Sequence, residues 1–329
     1  MPYSVSIESL DSLISSGTGQ SYLKWDPIFI LPAWLKAWWR AFGAAASLLL
    51  YVIKQGDTTI GVAPLKVVGG VASFIGDSTV CDYLDFVVTP GKERGFFTVL
   101  LDTLDTGGVN RLDLAPLRPE STVLASLAAI ARERHYRVSC NRVAVSLELD
   151  LPETWDDYLE TLSGKQRHEV KRKLRRFNEM GRVNFRISRD SQAIPEDMEL
   201  FLKLFRESRQ EKAGFMNAPM RAFFGSLAEA MAGYGLLRLG FLELDSAPVA
   251  TVMYFDYNDR IYLYNSGYDP AYSWLSVGLL AKVLCLKDSI IRKKRKFDFL
   301  KGAEVYKYRL GGSEIPLYSC QIALKAAGV

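Results

Sequence analysis

The chain has 329 residues, a net charge of +4, 49% apolar and 24% charged residues, which is the balance of an ordinary globular protein and long enough to favour two domains over one. Its four cysteines (Cys81, Cys140, Cys285 and Cys320) share no CxxC or metal-ligand spacing. HExxH, a P-loop and a strand-linked GxGxxG are all missing, so zinc hydrolysis, nucleotide hydrolysis and dinucleotide redox chemistry lack sequence support.

Residues 3–9 alternate like a strand. Trp25-Asp26-Pro27 forms a turn, and Pro32 opens a helix to Phe42 whose Trp34 and Trp38 share one face. Leu48–Ile53 and Thr59–Val68 read as strands of a hairpin turned at Gln55-Gly56-Asp57. Short strands follow at Ala72–Gly76 and Asp85–Val88, then a helix after Pro90-Gly91 to Asp105, a strand at Arg111–Leu114, a helix over Pro119–Arg134 and a strand over Val138–Leu149. Asp150-Leu151-Pro152 interrupts this pattern, and the expected domains are 1–150 and 151–329.

The second domain opens with Thr154 as a helix cap followed by Asp156 and Asp157. A helix over Trp155–Leu162 and a basic one over 164–180, ended by Gly181, lead to a strand at Val183–Ile187. Pro195 and Pro219 each open a helix, to Lys212 and Met231. Three strands (Leu236–Leu244, Pro248–Tyr257, Arg260–Ser266), an amphipathic helix over Leu275–Ile291 and closing strands at Phe297–Leu300 and Tyr318–Leu324 complete the chain. The two halves share an order of strands and helices, without a residue-level repeat. Met1–Glu8 lacks the form of a signal peptide, and the longest apolar run, Phe42–Ile53, falls short of the roughly 20 residues a membrane span needs, so a cytoplasmic protein is expected.

Charge is concentrated in one element. Between Gly164 and Phe177 lie seven Lys and Arg residues against Glu169 alone, a larger surplus than the whole chain carries. Such a self-repelling run suits an anionic partner such as a phosphate group, an RNA backbone or an anionic lipid, with Lys165, Arg167, Lys171, Arg172 and Arg175 as its contacts.

The strand-strand-strand-helix-strand order of 236–322 is joined by five segments: Cys81-Asp82-Tyr83-Leu84-Asp85, Gly164-Lys165-Gln166-Arg167-His168, Tyr264–Pro270, Leu275–Leu280 and Phe297–Lys307. Together these resemble the GNAT acyltransferase superfamily, in its CelD-like/FemAB-like branch with two tandem GNAT-like domains. The resemblance implies an α/β (α+β) fold in which each domain is a mixed, mostly antiparallel sheet flanked by helices. It also implies an N-acyltransferase acting by direct attack, with acyl-CoA as donor and an amine on a small molecule or cell-envelope precursor as acceptor. Other implied partners are an aminoacyl-tRNA or an acyl carrier protein, and a membrane surface touched by the basic helix. Neither a metal nor DNA is implied. The alternative is a non-catalytic GNAT-fold protein that docks RNA or membrane.

The family's donor signature, Arg/Gln-x-x-Gly-x-Gly/Ala, has its best match at Ser273–Gly278. Here the final Gly is kept and serines replace the first residue and the first Gly. Ser273, Ser276, Val277 and Gly278 are therefore the expected donor contacts, at a helix start that offers free N–H groups to phosphate. Glu304 is the expected base and Tyr306 the expected acid, after a kink at Gly302; Tyr268 and Asp269 precede the donor helix as acyl and substrate contacts. In the acceptor half, Asp82 and Asp85, with Tyr83 between them, are placed to hold an ammonium group. The two histidines, His135 and His168, have no evident serine or cysteine partner, which argues against a triad.

Overall fold

The structure is a computed structural model that describes residues 1–17 and 23–324. It divides into two compact units, Met1–Ala144 completed by the segment from Ile315, and Val145–Glu314. In chain order the first part comprises β1 (Tyr3–Ile7), α1 (Leu10–Gly17), α2 (Pro32–Phe42), β2 (Ser47–Gln55), β3 (Thr58–Val68), β4 (Val71–Phe74), β5 (Val87–Val88), α3 (Glu93–Thr106), β6 (Arg111–Leu117), α4 (Ala128–Glu133) and β7 (Arg137–Asp150). There follow α5 (Trp155–Thr161), α6 (Gly164–Asn178), β8 (Val183–Ser188), α7 (Ile194–Glu207), α8 (Gln210–Phe215), α9 (Ala218–Gly233), β9 (Leu237–Leu244), β10 (Ala247–Tyr257), β11 (Arg260–Tyr268), α10 (Val277–Ile291), β12 (Lys296–Lys301), α11 (Val305–Arg309) and β13 (Ser313–Ala323).

Each unit is a mixed, mostly antiparallel sheet flanked by helices, and the two follow one plan. In the first, β1, β2, β3 and β4 are successive antiparallel neighbours, β4 lies parallel to β6, and β6 is antiparallel to β13. In the second, β8, β9, β10 and β11 are antiparallel neighbours, β11 lies parallel to β12, and β12 is antiparallel to Ser146–Asp150 of β7. The strand that closes the first unit thus comes from the end of the chain, whereas the second takes its closing strand from before its own first helix. A repeat of topology is present where no repeat of residues can be read.

Local chemistry accounts for most element ends. Thr154 accepts the Asp157 N–H at 3.1 Å and Asn217 that of Met220 at 3.0 Å, capping α5 and α9. Asn258 and Asp259 both adopt positive φ, the geometry of a tight hairpin turn between β10 and β11. Trp34 and Trp38 are both buried, and the Trp38 indole donates to Asp77 at 2.9 Å. Three expectations change. The helix expected over Pro195–Lys212 breaks at Arg209, whose backbone is extended, giving α7 and α8. That expected over Pro119–Arg134 begins as a π-turn at Val123–Leu127. The region after Gly302, expected to leave its strand by a kink, forms the short helix α11 with Glu304 at its cap position.

In the second unit the core lies between the sheet and α5, α6 and α10, with Tyr254, Phe297, Phe299, Val277 and Leu280 fully or almost fully buried. Gly267 on β11 is pressed so closely by the end of α7 that a Cβ there would lie 2.4 Å from the Phe205 backbone nitrogen.

Candidate functional site

The second unit contains an opening built from backbone. Strands β11 and β12 run parallel in register only at Arg260–Tyr262 against Lys296–Asp298. Beyond that point β11 continues beside β10 and β12 beside β7, so the two part as a wedge. A bulge shifts the β10/β11 register at Tyr264, since Met253 faces Asn265 and Tyr254 faces Leu263.

Helix α10 begins below this wedge. Pro270–Leu275 forms a 3₁₀ turn capped by Asp269, whose carboxylate accepts the Ala271 N–H at 2.9 Å. Asp269, expected at the substrate, is thereby engaged in shaping the turn. The Ser273 carbonyl accepts the Ser276 N–H at 2.9 Å, and Ser276 takes a left-handed conformation with φ of 61°. This is the conformation that glycine adopts most readily, so the serine fills the signature's first glycine position without changing its backbone. The first N–H groups of α10, at Val277 and Gly278, have no carbonyl in the preceding turn to bond. Gly278 admits the ring of Tyr268, which would lie 2.8 Å from a Cβ at that position.

The basic helix reaches this same end. Lys173 on α6 donates to the Ser276 hydroxyl at 2.6 Å, and the Arg176 guanidinium stands 5.0 Å over the Trp274 ring, a ring 53% exposed. Neither Lys173, Arg176 nor Trp274 stands out as a site residue in the sequence. Of the five residues expected to meet an anion, Arg172 pairs with Glu169 at 2.9 Å and Arg175 with Glu179 at 3.8 Å, while Arg167 is half-buried and Lys165 and Lys171 are exposed. Hydrogen bonding from Arg172 holds the Glu169 carboxyl down at about 2, so the helix's one acid keeps its charge.

One turn into α10, Lys282 donates to the Gly278 carbonyl at 2.9 Å and stands 5.1 Å over the Tyr306 ring. It is half-buried, and burial, followed by the nearby charges of Lys212 and Arg209, pulls its ammonium down to about 7. Lys212 is likewise pulled down to about 8 by burial, and donates to the Ser266 carbonyl on β11. Burial pushes the Tyr306 hydroxyl upward, so it holds its proton throughout the neutral range.

Glu304 acts on both Lys282 and Tyr306 through its charge. Its side chain is 57% exposed, folds back over Gly302 and pairs with Lys307 at 2.9 Å. Lys307 also donates to the carbonyls of Leu300, Lys301 and Gly302, fixing the end of β12. Glu304, the expected base, is thus an exposed carboxylate in an ion pair, and Tyr306, the expected acid, is a half-buried phenol. Within the first unit, Asp85 accepts from the Thr122 N–H and hydroxyl at 2.8 and 2.6 Å and from the Phe86 N–H at 2.9 Å. Tyr83 is buried edge-on to Phe29 with Arg118 over its ring. Both are held inside that unit rather than aimed at an acceptor, and Asp82 beside them is half-buried. The Cys81 thiol is pushed up to about 12 by burial, which suppresses its reactivity.

Residues 164–308 match the family described as an acetyltransferase (GNAT) domain. That stretch lies within the second unit, Val145–Glu314. No curated protein matches the chain. Over nearly all its length the chain shares its fold with FemX (10% identity, 96% of each chain, TM-score 0.65). It also shares it with a conserved protein of unknown function from Bacteroides thetaiotaomicron (13% identity, 98% of this chain and 100% of the other, 0.62) and with L-PGS from Bacillus licheniformis (11%, 88% and 90%, 0.55). Over nearly the whole chain the fold is thus that of FemX. The helix of the first unit that corresponds to α10 is α3, which begins with Glu93, an acid where a GNAT donor would bring phosphate. Of these two corresponding helices, α10 is the one whose first turn carries no acid. Among the described residues, no helix is long and apolar enough to cross a membrane, and no group of three or more His, Cys, Asp or Glu could hold a metal.

Proposed function

We infer that this protein is an N-acyltransferase whose donor lies in the β11/β12 wedge with its phosphate-bearing end at the start of α10. The observation that carries this reading is the convergence of the basic helix on that start, through Lys173 at Ser276 and Arg176 at Trp274. A helix N-terminus and two cations in one place suit a pyrophosphate. Ser273, Ser276, Val277 and Gly278 line that cradle, and Tyr268 bounds it above Gly278.

Attack by the acceptor amine on the donor carbonyl forms a C–N bond and breaks the bond to the leaving sulfur or oxygen. Lys282, which has a large neutral fraction near pH 7, takes the amine's proton, and Tyr306 gives its proton to the leaving group. Glu304 acts through Lys307, by fixing the end of β12. The acceptor is an amine of a small molecule or envelope precursor.

The exposed Lys165 and Lys171, on the same helix as Lys173, favour a second donor of the same electrostatic kind, an aminoacyl-tRNA. The test is donor turnover with acyl-CoAs of rising chain length, read as thiol release, and with charged tRNA, read as loss of the aminoacyl ester, each with a panel of amines. Amine-dependent turnover of one donor is expected, and Tyr306→Phe should lower kcat about 100-fold without changing the melting temperature. Turnover of neither donor, or an unaffected Tyr306→Phe variant, overturns the reading.

A further inference from the structure

The far end of α10 closes a second recess within the same unit. A cavity of about 270 Å³ is lined by Phe185, Ile187, Arg189, Arg238, Asp288 and Arg292. Strand β8 supplies the two apolar side chains, with Arg189 just past its end; β9 supplies Arg238, and α10 supplies Asp288 and Arg292. From Gly278 to Arg292 a helix rises about 21 Å, so this recess is separate from the wedge and independent of the acyl-transfer reading.

Its charges are poorly matched. Asp256, behind the recess, pairs with Arg292 and with Lys294 at 2.7 Å, but meets Arg238 only at 3.9 Å. Asp288 faces Arg292 at 3.7 Å, beyond hydrogen-bond reach. Arg189 is exposed, and among the described residues it has no carboxylate at ion-pair distance. Four cations therefore share two carboxylates. Three buried polar atoms of this cluster, Arg238 Nε, Tyr254 Oη and Asp288 Oδ2, lack a hydrogen-bond partner. Tyr254 is fully buried within electrostatic reach of Arg238, Asp288 and Arg292. Burial also works against the charges of Arg238 and Asp288, lowering the one and raising the other. A folded protein seldom leaves such a cluster uncompensated.

We propose that this recess binds a small carboxylate with an apolar body, the carboxylate held by Arg189, Arg238 and Arg292 and the body lying on Phe185 and Ile187. Guanidinium forks match a carboxylate in two parallel hydrogen bonds, and the unpaired positive charge calls for an anion. The apolar wall selects against a bare inorganic anion, which would leave it uncovered. The volume equals about nine waters at about 30 Å³ each, enough for a small acid and too little for a nucleotide.

The test titrates the full chain with 4-methylpentanoate and with 3-phenylpropanoate at constant ionic strength, by thermal shift and calorimetry. The two matching primary amides and inorganic phosphate serve as controls. Both acids should raise the melting temperature in a saturable way, and the controls should not. Arg189→Gln, at an exposed side chain, should weaken acid binding about tenfold. Ile187→Trp, which fills the recess, should abolish it. No shift with either acid, an equal shift with the amides or with phosphate, or acid binding unchanged in both variants would overturn the proposal.

Discussion

Lys173 and Ser276, 103 residues apart, meet in a 2.6 Å hydrogen bond that ties the basic helix to the start of α10. The serine sits in a left-handed conformation at the helix cap, and its hydroxyl is the acceptor. A cation is thus held beside a helix N-terminus, where both favour negative charge. Lys173 is also within 3.3 Å of Glu169, which steadies it without removing its charge from the cradle.

The first prediction concerns this contact. Lys173→Met should raise KM for the donor about tenfold and leave kcat within a factor of two, because a phosphate contact far from the reacting carbonyl binds ground and transition states alike. Charge-assisted hydrogen bonds of this kind contribute about 1.5–3 kcal/mol. Raising the salt concentration should narrow the gap between variant and wild type, since screening weakens what the lysine adds. A fall in kcat with KM unchanged would place Lys173 at the reacting centre instead.

The second concerns Lys282. With its ammonium pulled down to about 7 by burial and neighbouring cations, the amine is free above that pH and protonated below it. The rate kcat/KM should therefore rise with pH through a limb near 7. Lys282→Met should lose that limb together with most of the activity, about 100-fold or more. A limb that persists in the variant would belong to another group.

Much of the fold was legible in the sequence because hydrophobic period and turn chemistry agree there. Asn258-Asp259, Thr154 and the alternation of Leu236–Tyr257 each point to one local structure, and each forms it. The site was legible only in part. The helix start at Ser276–Gly278 carries a local signal, but Lys173 and Lys282 acquire their meaning from packing, and no spacing announces that a lysine will be desolvated. The turn that carries Glu304 was hidden for a related reason. Gly302 marks a break in β12 without saying whether strand or helix follows. The carbonyls that Lys307 gathers at the end of β12 favour a helical turn there. Asp85 and Tyr83 read as part of an ammonium-holding group at a strand start, and only the tertiary contacts with Thr122 and Phe29 reveal them as interior.

The third prediction is a dependence of stability on pH. The Asp85 carboxyl is raised to about 6, chiefly by burial, against the lowering effect of its bonds from Thr122. Between about 4 and about 6 the folded chain therefore binds a proton that the unfolded chain has released, and stability falls as pH rises through that window. The effect is of the order of 2–3 kcal/mol, fully developed above about pH 6. Asp85→Asn cannot titrate, so the difference between variant and wild type in urea unfolding should change by this amount between pH 4 and pH 7. A constant difference would mean that the carboxyl keeps its usual range.

The last prediction tests whether the wedge depends on close packing behind it. Gly267 lies on β11, where a Cβ would meet the backbone of Leu204 and Phe205 at 2.4–2.6 Å. Backbone at the end of a helix cannot yield as a side chain can, so Gly267→Ala must shift α7 or push β11 aside. Overpacking of this kind costs about 1–3 kcal/mol and can exceed that range when the neighbour is rigid. Because β11 also carries Ser266, which accepts from Lys212, and Tyr268, which covers Gly278, the shift should reach the donor site. The expected result is a lower melting temperature and a higher KM for the donor in the same variant. A Gly225→Ala control should show neither, since a Cβ there meets open space on α9 and alanine favours a helix. If Gly267→Ala destabilises the protein but leaves donor KM unchanged, the position of β11 does not govern the site.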